Sequence, residues 1–191
     1  DPLHDDCFDY ARNLRDAGAQ VVEVELAGIR DLGAIQSTGG FTAAEAYATH
    51  RSMLEQRSAD YDPRVSTRIL RGANMKAHEY IELVRERQRW IAAVERALTG
   101  FDAVLSPTVP IVAPLLSEVA PADGANAAQD QQRDQAFFRV NALLLRNTSV
   151  VNRRDGCALS RPGHAPEELA VGLMIWQGAC RDDTVLNLGL L

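Results

Sequence analysis

Apolar and polar positions along this chain follow two periods, and the change from one to the other marks out its elements. Leu3, Cys7, Tyr10, Ala11, Leu14 and Ala17 recur at helical spacing. Asp1-Pro2 offers a cap and a first helical residue, and Gly18 a place to stop. Val22, Val24 and Leu26 then alternate with Glu23 and Glu25, which predicts a strand. Helix followed by strand is half of a βαβ unit without its first strand, so the expectation is a chain that starts in the middle of a fold.

Gly28 to Gly40 reads as loop or a short helical turn. Thr42-Ala-Ala-Glu45 has the form of a capping box, and Ala43, Ala46, Tyr47, His50 and Leu54 share the face behind it. Asp62-Pro63 predicts a helix start, with Val65 and Ile69 inward and Gly72 as the stop. A long helix follows from about Asn74 to Leu98. Ala77, Tyr80, Val84, Ile91, Val94 and Leu98 line one side, and Glu79, Glu82, Arg85, Glu86 and Arg89 make a solvated charged face.

Ala103, Val104 and Leu105 form a short apolar run between Gly100 and Pro107, which predicts a buried strand. Pro107, Pro110 and Pro114 cannot continue a ladder or a helix, so the chain leaves the sheet there as a stiff loop. Ligands of open α/β sheets bind beyond the carboxyl ends of strands, which makes this loop a natural pocket wall. Pro121 to Gln132 has little to bury and predicts a mobile surface loop. A helix near Asp134 to Leu145 follows. Thr148 to Val151, Cys157 to Ser160 and Val171 to Trp176 are short strand candidates, separated by Gly156, Pro162-Gly163 and Pro166. Asp182-Asp183 caps a last helix that has just begun when the sequence ends, so the C-terminus reads as cut as well.

Composition narrows the function classes. A chain of 191 residues supports one core, and 46% hydrophobic with 24% charged residues is ordinary for a globular protein. Net charge is −6 and the isoelectric point is near 5.2, which argues against nucleic acid or an anionic membrane as a partner, since both need a basic face. No apolar run approaches a membrane span. Cys7, Cys157 and Cys180 lack zinc spacing, and buried free thiols in a reduced cytoplasm are expected. Cys157, Cys180 and His164 match no metal motif. No phosphate loop or nucleophile elbow occurs, and His50 reads as a packed, hydrogen-bonded core histidine.

The stretch Asp-Ala-Val-Leu-Ser-Pro-Thr-Val-Pro, followed by Ala-Pro, resembles the C-terminal half of the amidase signature family. Further similarities lie in the same order along the chain. They are residues 17–26, the Asp-Pro-Arg-Val segment with Arg68 and Gly72, Leu-Leu-Arg-Asn-Thr-Ser-Val-Val-Asn at 144–152, and Val-Gly-Leu-Met-Ile at 171–175 followed by Asp183. The resemblance implies an α/β fold, a mixed β-sheet flanked by helices, with residues 1–191 as the C-terminal portion of a single α/β/α domain. It implies a serine amidohydrolase that needs no metal or organic cofactor. It also implies a triad of two serines and a lysine, with the serines in or next to a Gly-Gly-Ser-Ser-Gly-Gly-Ser segment.

That segment is absent from this sequence. Ser37-Thr38-Gly39-Gly40 lacks the flanking glycines and the second serine, and Lys76, the only lysine, sits beside an amphipathic helix. The expectation is therefore no catalytic residue here, with the triad on a missing N-terminal half. Arg68 matches a position where relatives that amidate glutamine place an arginine near the substrate carboxylate, a task suited to its planar fork. Thr108 to Pro110 and Arg146-Asn147-Thr148 are the remaining pocket-rim candidates, with Thr108, Arg146 and Thr148 as the substrate-binding residues among them. The expected partners are a small-molecule amide, the missing half and a possible second copy through the exposed sheet face. A non-catalytic α/β module that binds a small molecule or partner chain is the alternative.

Overall fold

The computed structural model describes residues 2–29, 32 and 40–190. Asp1, Ser37-Thr38-Gly39 and most of the expected 28–40 loop lie outside the described residues, as do the side chains of Leu3 and Cys7. The chain forms two compact units, one of residues 26–97 and one of residues 1–25 with 98–191.

The 26–97 unit is helical. It holds α2 (Gly40–Arg57), α3 (Pro63–Leu70) and α4 (Ala77–Ala97), with 3-10 turns at Ala27–Ile29, Ser58–Asp60 and Arg71–Asn74. The expected capping box does not form. Helix α2 starts at Gly40, so Thr42 lies inside its first turn, and Glu45 instead accepts a hydrogen bond from the Tyr80 hydroxyl at 3.1 Å. Burial and that carboxylate raise the Tyr80 phenol above its ordinary value. The start of α3 is as expected: Asp62 caps it, accepting from the Arg64 amide at 2.8 Å, with Pro63 at the first position. Gly72 lets the backbones of α2 and the Arg71–Asn74 turn meet, since a Cβ there would lie 2.1 Å from the Ala43 carbonyl oxygen. On α4 the buried stripe is Leu83, Trp90 and Val94, while Ala77, placed on that stripe by sequence, is exposed. The Trp90 indole donates to the Gly28 carbonyl at 2.6 Å. His50 is half-buried and hydrogen-bonded to Tyr61 at 2.9 Å, as expected.

The other unit carries the sheet. Helix α1 (Pro2–Asp16) stops where Gly18 takes a positive φ of 96°. The strand expected at Val22 to Leu26 is not formed. That segment has no ladder partner among the described residues, and Val22 is 57% exposed. The strands are β1 (Val104–Pro107), β2 (Cys157–Pro162) and β3 (Gly172–Gln177), in the order β1-β3-β2 and antiparallel throughout. Strand β1 is thus an edge strand of intermediate burial rather than a buried one, which is how Pro107 can be its last residue. Strand β3 lies in the middle, and Leu173, Met174, Ile175 and Trp176 are all buried, as a strand covered on both faces requires. Helices flank the sheet: α1 packs on β1, and α8 (Asp182–Gly189) packs on β2 and β3. This is the α/β class, rich in helix.

Two further corrections concern the helices before β2. Thr148 to Val151, expected as a strand, is the start of α7 (Thr148–Arg154). The expected loop at Pro121 to Gln132 becomes helix from Ala127, because Asn126 caps α6 (Ala127–Arg146) with Oδ1 accepting from the Ala128 and Gln129 amides. The residues before it are tied down too. Asp130 accepts from the Asp123 and Gly124 amides, and Arg133 bridges Asp123 and Asp130. The Arg133 guanidinium draws Asp130 below the usual carboxylate range. The Ala125 amide, then Arg133, do the same for Asp123. A short helix α5 (Leu116–Val119) precedes this stretch. Among the described residues no helix is long and apolar enough to cross a membrane.

Candidate functional site

Chemistry gathers where β1 ends. Pro107 closes the strand opposite Leu173, and the Thr108 amide extends the ladder by donating to the Gly172 carbonyl at 2.8 Å. The Thr108 hydroxyl then reaches across β3 to the Ser160 hydroxyl on β2, 2.6 Å away. The two can meet because the residue beneath them is Gly172. A Cβ there would stand 2.6 Å from Ser160 Oγ and 2.9 Å from Thr108 Oγ1. In such a pair one hydroxyl donates to the other, and the second keeps its own proton for a further acceptor. A carbonyl or carboxylate oxygen in front of the loop would be that acceptor.

The junction between α6 and α7 supports the same loop. Asn147 Nδ2 donates to the Pro107 carbonyl at 2.7 Å, and Asn147 Oδ1 accepts from Arg146 Nε at 3.2 Å. Thr108 and Arg146 are therefore linked through Pro107 and Asn147, as two sequence-predicted rim residues in one neighbourhood. Arg146 is exposed, with its guanidinium otherwise available to solvent. Thr148 has a local role: its hydroxyl lies 3.4 Å from the Leu145 carbonyl, one turn back in the chain. Arg68 belongs to the other unit. It sits half-buried in the last turn of α3, and among the described residues its side chain makes no hydrogen bond or ion pair.

A second network fixes the start of β1. Gln177 Nε2 donates to the Asp102 carbonyl at 2.6 Å and Trp176 Nε1 to Ser106 Oγ at 3.2 Å. Arg154, 1% exposed, donates to Gln177 Oε1 at 3.2 Å and stacks its guanidinium over the Trp176 ring at 5.5 Å. Sequence reasoning places Asn147 at the pocket rim without its partner, and misses Arg154, Ser160 and Gln177. Asn147 and Ser160 lie within or just beyond segments that were singled out, so their proximity to Thr108 was the hidden part.

Other groups do not converge on a site. Cys157 is half-buried with its thiol on the Gly178 carbonyl at 3.4 Å, whereas Cys180 is exposed, against the expectation of burial. His164 Nδ1 meets the Val171 backbone instead of a thiol. Among the described residues no three His, Cys, Asp or Glu side chains are placed to hold a metal. A groove of about 570 Å³ is lined by residues of α5 and α6, among them Glu118, Gln132, Arg133 and Arg139, and includes none of the predicted rim residues.

The family model described as Amidase matches residues 3–186. A 2-amino-5-chloromuconic acid deaminase of Comamonas testosteroni is 27% identical over 165 residues, covering 86% of this chain and 33% of its own length. An amidase of Pseudomonas putida is 30% identical over 168 residues, covering 84% of this chain and 36% of its own. The chain thus spans about a third of the length of these relatives. Among solved structures, the K. lactis urea amidolyase superposes with a TM-score of 0.80 over 98% of this chain and 10% of its own, at 24% identity, a likeness of fold.

Proposed function

This chain belongs to the amidase family, and we propose that it supplies substrate-pocket walls to a serine amidohydrolase and no member of the catalytic triad. The reaction is hydrolysis of a carboxamide. A serine oxygen attacks the amide carbon, ammonia leaves with a proton from the enzyme's base, and water releases the carboxylate. No step needs a metal or organic cofactor. The nucleophile and its base lie outside this chain, whose sequence holds no Gly-Gly-Ser-Ser-Gly-Gly-Ser segment.

The observation that carries this reading is the ordered hydroxyl pair of Thr108 and Ser160 at the exit of β1. It presents a fixed donor on a loop that three prolines stiffen, which suits a substrate carbonyl better than a moving chemical group. Within the 26–97 unit, Arg68 is a separate candidate, a cation suited to a carboxylate group. The partners are a small-molecule amide and the remainder of the same domain.

The test is ammonia release from a panel of primary amides. A protein in which this chain is joined to an N-terminal portion bearing the serine-lysine set should turn over at least one of them, and the chain by itself none. Turnover by the chain alone, abolished by mutating one of its own serines, would overturn the assignment.

A further inference from the structure

Asn147 occupies a helix-capping position without capping. It stands between α6 and α7 in helical conformation, with φ −79° and ψ −45°, and its side chain makes no capping hydrogen bond to α7. Asparagine at such a junction ordinarily turns its oxygen to the free amides of the next helix. Here that oxygen accepts from Arg146 Nε, and the amide nitrogen reaches Pro107, 40 residues earlier in sequence. Both ends of the amide are therefore engaged, and the carbonyl at Pro107 fixes which end faces it, because only the nitrogen can donate.

The Pro107 carbonyl sits where the ladder runs out. Beyond it the loop is held by the Thr108 amide on Gly172 and the Thr108 hydroxyl on Ser160. Those two contacts hold the loop from the sheet side, and Asn147 holds it from the helix side. We infer that Asn147 is a positioning residue: its amide clamps the Pro107 carbonyl and so sets where Thr108 stands in the pocket wall. This deepens the amide-hydrolase reading and rests on it for the consequence at the substrate, while the clamp itself can be measured without any activity.

The experiment has two arms. In the first, backbone hydrogen exchange is followed in the full chain for the wild type, Asn147→Ala and Asn147→Asp. Asp keeps the shape but places an oxygen against the Pro107 carbonyl, so it should behave no better than Ala. Exchange at the Thr108 amide should rise about tenfold in both variants, with the amides of β2 and β3 unchanged. Unchanged exchange at Thr108, or an Asp variant that behaves like wild type, would overturn the clamp. A uniform rise across the whole unit would overturn it too, as the mark of a general packing role.

In the second arm the same variants are measured in the amide-hydrolysing protein. KM should rise roughly fivefold with kcat within a factor of two, as expected when one neutral hydrogen bond that places a binding group is lost. A fall in kcat at constant KM would overturn the assignment of Asn147 to substrate positioning. A changed exchange pattern in a protein that hydrolyses no amide would leave the clamp standing and remove the amidase reading alone.

Discussion

Thr108 Oγ1 and Ser160 Oγ approach to 2.6 Å above Gly172, so the loop leaving β1 touches β2 across the strand between them. Glycine is required there by space alone. The Gly172→Ala variant should separate the hydroxyls and cost about 1–2 kcal/mol, modest because both neighbours are side chains that can rotate. Removing one hydroxyl, as Ser160→Ala or Thr108→Val, should cost about 1 kcal/mol each, and the double variant less than their sum. Urea denaturation of the four variants checks this, and strict additivity would mean that the two hydroxyls do not interact.

Arg68 separates binding from folding. With no polar partner among the described residues, its loss should change stability by less than about 0.5 kcal/mol. In the amide-hydrolysing protein, Arg68→Ala should weaken amides that carry a carboxylate by about 1.5–3 kcal/mol and leave neutral amides nearly unchanged. Paired KM measurements on one acidic and one neutral amide decide it. An equal loss on both, or a loss of soluble protein, would assign Arg68 a structural role.

Arg154 is the opposite case. Its side chain is enclosed, stacked on Trp176 and bonded to Gln177, which in turn holds the start of β1. Arg154→Ala should cost about 2–4 kcal/mol, mostly through the space and packing lost. Arg154→Lys should recover less than half, because a point charge on a thin stem replaces neither the planar stack nor the fork. A loss below about 1 kcal/mol in denaturant titration would contradict this.

The Arg133 network predicts an acid response confined to the start of α6. Asp123 and Asp130 are held below the ordinary carboxylate range, so their contribution is complete above the unfolded value of about 3.9. It is lost as pH falls through the depressed folded values. Arg133→Ala should move both carboxyls part of the way back towards the ordinary range, since backbone amides still hold each of them: Ala125 on Asp123, and Asp123 and Gly124 on Asp130. Carboxyl chemical shifts read against pH would show it, and an unshifted Asp130 would contradict the assignment.

How much of this was legible depended on whether a residue's partner was local. Strands β2 and β3 could be placed because Gly156, Pro162-Gly163 and Pro166 punctuate them. The cap at Asp62-Pro63 could be placed because its partner is two residues away. Helix α7 was misread because Thr148, Val150 and Val151 have strand propensity, while the residue completing its buried face is Arg154. A hydrophobic pattern cannot register an arginine as buried. The polar run before α6 hid a cap and an ion network in the same way, since its order comes from Asn126, Asp130 and Arg133 rather than from apolar burial. The alternation at Val22 to Leu26 was real but pairs with nothing among the described residues. In the candidate site, Thr108 and Arg146 were nameable from position. Their link through Asn147 was not, because the contact spans 40 residues.

The strand order has a bearing on how this wall comes into being. Strands β2 and β3 are joined by a short connection and can meet soon after both exist, whereas Ser106 waits for Trp176, 70 residues downstream. Closing the longer loop costs more entropy and yields its contacts later. During synthesis β1 leaves the ribosome well before β3, its ladder partner among the described residues, and that pairing waits for the hairpin. The residues that line the proposed pocket are therefore among the last in their unit to reach their native places. A delay in translation between Pro107 and Gly172 would prolong the interval in which that edge is open to other chains.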